Sequence, residues 1–369
     1  MSTPGADEFE AAGLYDPSAP NAADRLRLLE WLAGVGVDLD QLRASLTFGQ
    51  LSSVASDRWL VPGPRLTRAE AIERSGLEPA HFDELVAAIG YEPIQGSPDG
   101  EIGITDAELD LLASVEQLTS LFSHDEALAL LRVIASALSR IAEAAVSLFL
   151  ADVESAHVRE GGSEFELART VYDAVQLVDG LGARLDPALR RHMLQAAERT
   201  RATTIDAVER FQYRYAVGFV DLVGFTAISR NMTAQDLSAF VGRFERTAHE
   251  VVTAAGARVV KLIGDEVMFV DPDPSAAVAA GRALIATFSA MGEGVLPRGG
   301  MAFGSVVLRG GDYYGSIVNI ASRLADAAVP GELLVTTGLA DATDDAFEPA
   351  GRRMLKGFDE PIVVRSLSV

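Results

Sequence analysis

Hydrophobic positions change their period once along this chain, close to residue 213. From about Ala22 to Gln212, apolar residues recur three or four apart among many Ala, Leu, Glu and Arg, the spacing of helices that bury one face. After Arg214 short apolar runs and alternation take over, broken by Gly and Asp, as strands require. YAVGFVDLVGF predicts a buried strand and TAQDLSAFVGRFERTAHEVVTAAG an amphipathic helix ending at Gly256. ARVVKLIGDEVMFVD predicts two strands around a Gly-Asp turn, PSAAVAAGRALIATFSAM a second helix, and RGGMAFGSVVLR another strand. This β-α-β-β-α-β order is the ferredoxin-like split arrangement. A helix, YYGSIVNIASRLADAA, and short strands around LLVTT, RRMLKGF and PIVVRSL follow it. The expected fold class is therefore α+β, an all-α N-terminal domain joined by a long helix to a ferredoxin-like domain.

Boundaries follow from the same pattern: 1–21 as a flexible N-terminus, 22–185 as a helical domain, 186–213 as a linker helix and 214–369 as the second domain. NAADRLRLLEWLAGVG opens on an Asn cap, and Thr105 with Glu108 has capping-box spacing. Leu66 to Pro93 reads as two short helices around a Gly turn, similar to a helix-turn-helix, but PAHFDELVAAIG carries no Lys or Arg, so packing is favoured over DNA reading. Glu126 to Val153 is the most apolar segment, interrupted by Arg132, Arg140 and Glu143. Such a helix is expected to be buried in a core or against another subunit, a lipid groove being the lesser alternative. LDPALRRHMLQAAERTRATTIDAVERFQYR is expected to form one long helix with Asp186 as cap and Pro187 at its first position, a rod that couples the halves mechanically.

Composition narrows the setting. The chain has 369 residues, 49% of them hydrophobic and 23% charged, which suits globular domains. It has no cysteine, so disulfides and thiolate zinc sites are excluded. No basic and apolar leader opens it, and no uncharged apolar run reaches bilayer length, so no membrane span and a cytoplasmic location are expected. The net charge of −22 is uneven, with −18 in residues 1–213 and −4 in residues 214–369. The acidic half should repel nucleic acid and anionic lipid, whereas the near-neutral half can hold an anionic ligand.

Of 31 basic residues only Lys261 and Lys356 are lysines. Lys261 interrupts the apolar stretch VVKLIGDEVMFV, where a compact ammonium fits a tight pocket better than a guanidinium fork; a strand-edge lysine with its head in water is the alternative. Asp221 and Asp265 mark the ends of adjacent strands, so their oxygens can converge on hard cations such as Mg²⁺ or Mn²⁺. An Asp in a turn is often only a turn former, and it is the pair that points to metal. The loop after Asp221, with Gly224, Phe225 and Thr226, enters a helix whose free N–H groups favour an anion, and a triphosphate is the expected occupant.

VDLVGFTAIS, KLIGDEVMFV and DYYGSIVNIASR together resemble the three signature blocks of class III nucleotidyl cyclases, from about Arg214 to the C-terminus. The resemblance implies conversion of ATP to cyclic AMP and pyrophosphate at the interface of a head-to-tail homodimer with two shared sites. It implies that Asp221 and Asp265 hold two divalent metal ions, Lys261 and Asp312 read the base, Asn319 orients the ribose, Arg323 stabilises the transition state and Lys356 contacts the triphosphate. A guanylyl cyclase is the nearest alternative, and a DNA-binding regulator with an inert nucleotide-sensing domain is the alternative from another class. The acidic helical half resembles regulatory domains of actinobacterial soluble cyclases. Histidine titrates near neutrality, so His192 on the linker and His249 on the first helix of the second domain are candidate pH sensors.

Overall fold

The computed structural model describes residues 4–47, 51–91, 103–155, 157, 161–178, 180–203, 213–292 and 294–368. Contacts between Cα atoms divide the chain into two units, Met1–Pro187 and Ala188–Val369.

In the first unit, helices α1 (Ala6–Ala11), α2 (Ala22–Gly34), α3 (Leu39–Thr47), α4 (Val54–Leu60) and α9 (Glu164–Val178) surround one small core. Phe9 and Leu14 are buried in it against Leu28, Leu29 and Leu32, so this part of the segment expected as a flexible N-terminus is packed. A bidentate ion pair from Arg25 to Glu164, at 3.0 and 2.8 Å, ties α2 to α9. A second core gathers α5 (Arg68–Ser75), α6 (Pro79–Ile89), α7 (Asp106–Leu118) and the start of α8 (His124–Phe149) around Phe82, Leu85, Leu112 and Leu131. The helix starts are set by their sequences: Glu70, Glu108 and Glu126 each turn back to the amide of Thr67, Thr105 and Ser123 at 2.8, 2.8 and 3.2 Å. Left-handed Gly76 separates α5 from α6, as the helix-turn-helix-like reading required.

The structure departs from the sequence reading in the apolar helix, whose burial in a core is partial, and in the linker helix. The apolar helix is buried only over Ala127, Leu128 and Leu131; Leu138, Ile141, Val146 and Leu148 are exposed. Leu128 and Leu131, in its first turns, pack in the core that it shares with α6 and α7. His124–Val153 is also long and apolar enough to cross a membrane by length and composition, because such a span tolerates the few charges that break the uncharged runs. The linker helix α10 runs Leu181–Thr203, so it begins before Asp186, and Pro187 lies inside it. A proline there cannot donate to the carbonyl four residues earlier and its ring crowds that carbonyl, which weakens the helix locally without ending it. Its expected continuation through residues 204–212 falls outside the described residues.

The second unit is built on one mixed sheet with path β2-β3-β1-β4-β6-β8-β7, β5 pairing with β4 off the path. The strands are β1 (Tyr213–Val223), β2 (Arg258–Ile263), β3 (Glu266–Asp271), β4 (Leu296–Arg309), β5 (Asp312–Tyr314), β6 (Glu332–Thr336), β7 (Glu348–Arg353) and β8 (Ile362–Ser368). Pairing is antiparallel except between β4 and β6, which run parallel after a crossover. The β-α-β-β-α-β order is therefore present. Helices α12 (Ala234–Ala254) and α13 (Pro274–Met291) close one face through Phe240, Phe244, Leu284 and Phe288 against Ala216, Val220, Val267 and Phe269.

Alternation along the strands sends Tyr215, Val217, Phe219, Met268 and Ala302 to the other face, where α14 (Ser316–Ala327) covers them with Ala321 and Ala325. Asp221 continues this series on β1, opposite Glu266 on β3 and Arg298 on β4. The close seat of α14 depends on Gly300, where a Cβ would collide with the Ala325 amide and the Ala321 carbonyl. Gly300→Ala is expected to cost about 3 kcal/mol of stability, read as a lowered urea midpoint at unchanged slope.

Candidate active site

β1 is central in the sheet and its last residues place the first carboxylate. Asp221 accepts two hydrogen bonds from the Arg298 guanidinium, Nε at 3.1 Å and Nη2 at 2.9 Å. Arg298 also donates to the Asp326 carbonyl at 2.6 Å, joining the end of β1 to the last turn of α14. Asp265 follows Gly264 in the two-residue turn between β2 and β3, and Gly264 supplies the positive φ of 65° that the turn needs. Asp221, Asp265 and Glu266 thus meet at one end of the sheet. Burial lifts the Asp265 carboxyl above its ordinary range, and Asp221 beside it adds to the effect. Burial also pushes Glu266 up to about 7, with Asp221, Asp326 and Asp265 contributing and Arg298 opposing. One arginine is too little charge for so many acids. Oxygen donors crowded in this way match what a hard divalent cation takes, so the residues present fit the expected metal ions.

Lys261 and Asp312 are 51 positions apart and form an ion pair, Lys261 Nζ donating to Asp312 Oδ2. A register shift between Val259 and Lys261 on β2 sets the lysine opposite Met268, on the α14 face of the sheet. Asp312 begins β5 after left-handed Gly310 and Gly311, and its Oδ1 accepts from the Tyr313 amide at 2.8 Å. Tyr313 is buried edge-on against Tyr215, which anchors the β4–β5 hairpin to the sheet.

Asn319 and Arg323 lie one turn apart on α14 and line a cavity of about 490 Å³ together with Ser316, Lys356 and Phe358. Lys356 sits in the turn after β7. Arg323 is held by Asp326 at 2.9 Å. None of Asp221, Asp265, Lys261 and Asp312 lines this cavity.

Gly224, with φ of 94°, begins the short helix α11 (Phe225–Ser229). The Phe225 ring stacks on Phe240 in the core, centroids 5.2 Å apart, and Thr226 is exposed. Phe225 was expected to bind substrate; with its ring engaged in the core it can offer only its backbone N–H. His192 and His249 are both exposed. Arg298, Glu266 and Asp326 were not anticipated. Glu266 was legible as the third letter of GDE, whereas Arg298 could be found only through its register with Asp221.

Residues 8–201 match the model of the adenylate cyclase regulatory domain, more than half of the chain. An uncharacterised protein of Mycobacterium tuberculosis is 32% identical over 98% of this chain and 93% of its own length. A pH-sensitive adenylate cyclase of the same species is 30% identical over 93% of this chain and 88% of its own. The chain belongs to the class III adenylate cyclase family. This cyclase is also similar, over 43% of its chain and 95% of the other, to the crystal structure of an adenylyl cyclase from P. aeruginosa, with 24% identity and a TM-score of 0.38.

The acidic cluster gives the cyclase a pH-dependent stability. Glu266 binds its proton more tightly folded, at about 7, than at its ordinary value of 4.5. The corresponding stabilisation is complete below the lower value and disappears as pH rises through the higher one. In EDTA, the melting temperature of the wild type should fall between pH 5 and pH 8 more steeply than that of Glu266→Gln, which is neutral throughout. Equal slopes in scanning calorimetry would contradict the assignment.

Proposed function

We propose that this cyclase converts ATP to 3′,5′-cyclic AMP and pyrophosphate, with each active site completed by two copies of the chain. The observation that carries the choice of base is the meeting of Lys261 and Asp312 across the β2 and β5 edges. Adenine presents N1 as acceptor and its exocyclic amine as donor, which an ammonium and a carboxylate complement. Guanine presents the reverse on that edge, and a mismatched partner would leave buried polar groups unpaired.

Asp221 and Asp265, with Glu266 beside them, would hold two Mg²⁺ or Mn²⁺ ions, which when bound supply charge neutralisation and a lower pKa for the ribose 3′-hydroxyl. The chain's own groups do the rest. Backbone N–H groups after Gly224 cradle phosphate, their approach opened by the positive φ. Asn319 orients the ribose so that its 3′-oxygen stands in line with the departing pyrophosphate. Arg323 exchanges Asp326 for the α-phosphate oxygens as their charge grows, and Lys356 across the same cavity meets the triphosphate. The acids and base readers of one copy face Asn319, Arg323 and Lys356 of the other, so a homodimer has two sites and a monomer none. The separation of that cavity from the carboxylate cluster supports this arrangement.

Regulation by the N-terminal half belongs to the same reading, with protonation of His192 or His249 as its trigger. Support for a pH response comes from the relative named pH-sensitive, since both histidines are simply exposed. His192→Ala tests the first of them: a pH–rate profile of unchanged shape would remove it.

Lys261→Ala should mainly narrow the preference for ATP over GTP, on the order of 100-fold in the ratio of kcat/KM, measured with both nucleotides side by side. Asp221→Ala and Arg323→Ala should each be inactive alone. Mixed in equal amounts they should recover about a quarter of wild-type turnover, because half the dimers are mixed and each has one intact site. No recovery, with mixed dimers demonstrated, would refute the shared site.

A further inference from the structure

Far along the chain from the carboxylate cluster, three helices of the first unit bring a second set of ligating side chains together. His81 and Glu84 are one turn apart on α6, Glu116 lies in the last turn of α7 and His124 opens α8. The two imidazole rings face each other with centroids 4.7 Å apart at a tilt of 48°. Glu84 Oε2 is 2.9 Å from His124 Nε2 and 3.9 Å from His81 Nδ1. One ligand atom each from His81, Glu84 and His124 lies within 4.8 Å of the others. On the opposite edge of its ring, His81 Nε2 is 2.5 Å from the Glu116 carboxylate.

We propose that His81, Glu84 and His124 bind a divalent transition-metal ion of the zinc class, and that Glu116 orients His81 for it. Neutral His81 satisfies Glu116 in one tautomer, with the proton on Nε2. Its lone pair is then on Nδ1, on the side where Glu84 and His124 converge. Imidazoles that bind metal characteristically donate their other N–H to a carboxylate in this way, which fixes the ring and raises its basicity. At zinc–ligand distances, tetrahedral donors stand roughly 3.4 Å apart, and the separations of 2.9 and 3.9 Å bracket that spacing.

Charge and ligand type agree with this choice. Two neutral rings and two carboxylates sum to −2, which a dication cancels, whereas two imidazolium ions face to face would repel each other. Two nitrogens and one oxygen suit Zn²⁺ and leave a coordination position for water, while Mg²⁺ prefers an all-oxygen shell. The positive end of α8 next to His124 opposes a cation weakly, and Asp125 and Glu126 in the same turn offset it. A bound ion would fasten α6 to the first turn of α8, the helix whose later turns are uncovered.

The test is calorimetric titration of the full chain with Zn²⁺ in excess Mg²⁺, so that the carboxylates at Asp221 and Asp265 are already supplied with a hard ion. A single Zn²⁺ per chain is expected at the regulatory site. His81→Gln and His124→Gln should each weaken it by about 100-fold, and Glu116→Gln, which keeps all three ligands, by roughly 10-fold. Zn²⁺ should raise the melting temperature of the wild type and not that of His124→Gln. His124 is part-exposed at a helix start, so its variant keeps the test valid if circular dichroism shows His81→Gln to be misfolded. Co²⁺ in place of Zn²⁺ should give visible absorption of tetrahedral intensity that His124→Gln abolishes. The proposal is overturned if the wild type takes up no Zn²⁺, if His124→Gln binds it as the wild type does, or if Asp265→Asn alone removes it.

Discussion

Everything in the catalytic half is arranged around how β1 is held. Its pairing with β3 on one side and β4 on the other places Asp221 between Glu266 and Arg298, in a single row across the sheet. That register concentrates carboxylates at one end of three strands, where burial first and neighbouring carboxylates second make ionisation of Asp265 and Glu266 unfavourable. The charge of Arg298 answers only part of it. A slip of one residue in either pairing would turn Asp221 toward α12 and α13 and into the hydrophobic core.

The sheet's two faces account for the division of labour. One is sealed by two helices whose aromatic rings, Phe240, Phe244 and Phe288, fill the space against it. The other is covered, among the described residues, by α14, seated close because Gly300 has no side chain, and it carries Asp221, Glu266, Arg298 and Lys261. Polar groups accumulate where packing leaves room. Asn319 and Arg323 lie on α14 itself and open into a different cavity with Lys356.

In the regulatory unit the stabilising devices are local and repeated. Capping boxes begin several of its helices, and charged pairs such as Arg25 with Glu164 join segments far apart in sequence. Two small cores share the work of one large one. The exposed run on α8 breaks this economy of burial, and its first turns, with Leu128, Leu131 and the histidine cluster, are where that helix meets α6 and α7.

Much of this was readable from the residues in order. The change of period near residue 213 separates the halves, the GDE turn and the end of β1 mark Asp221 and Asp265, and the capping pair Thr105 and Glu108 forms as its spacing requires. These depend on neighbours in sequence, which propensity and pattern report. What tertiary structure decided depends on partners far apart. Arg298 is one arginine among 29 until strand register sets it against Asp221. Phe225 reads as a loop residue until its ring meets Phe240, and Phe9 as part of a tail until it is buried with Leu28. His81, Glu116 and His124 are scattered polar positions in the sequence, and only the packing of three helices brings them together, because a contact between distant residues leaves no trace in local spacing.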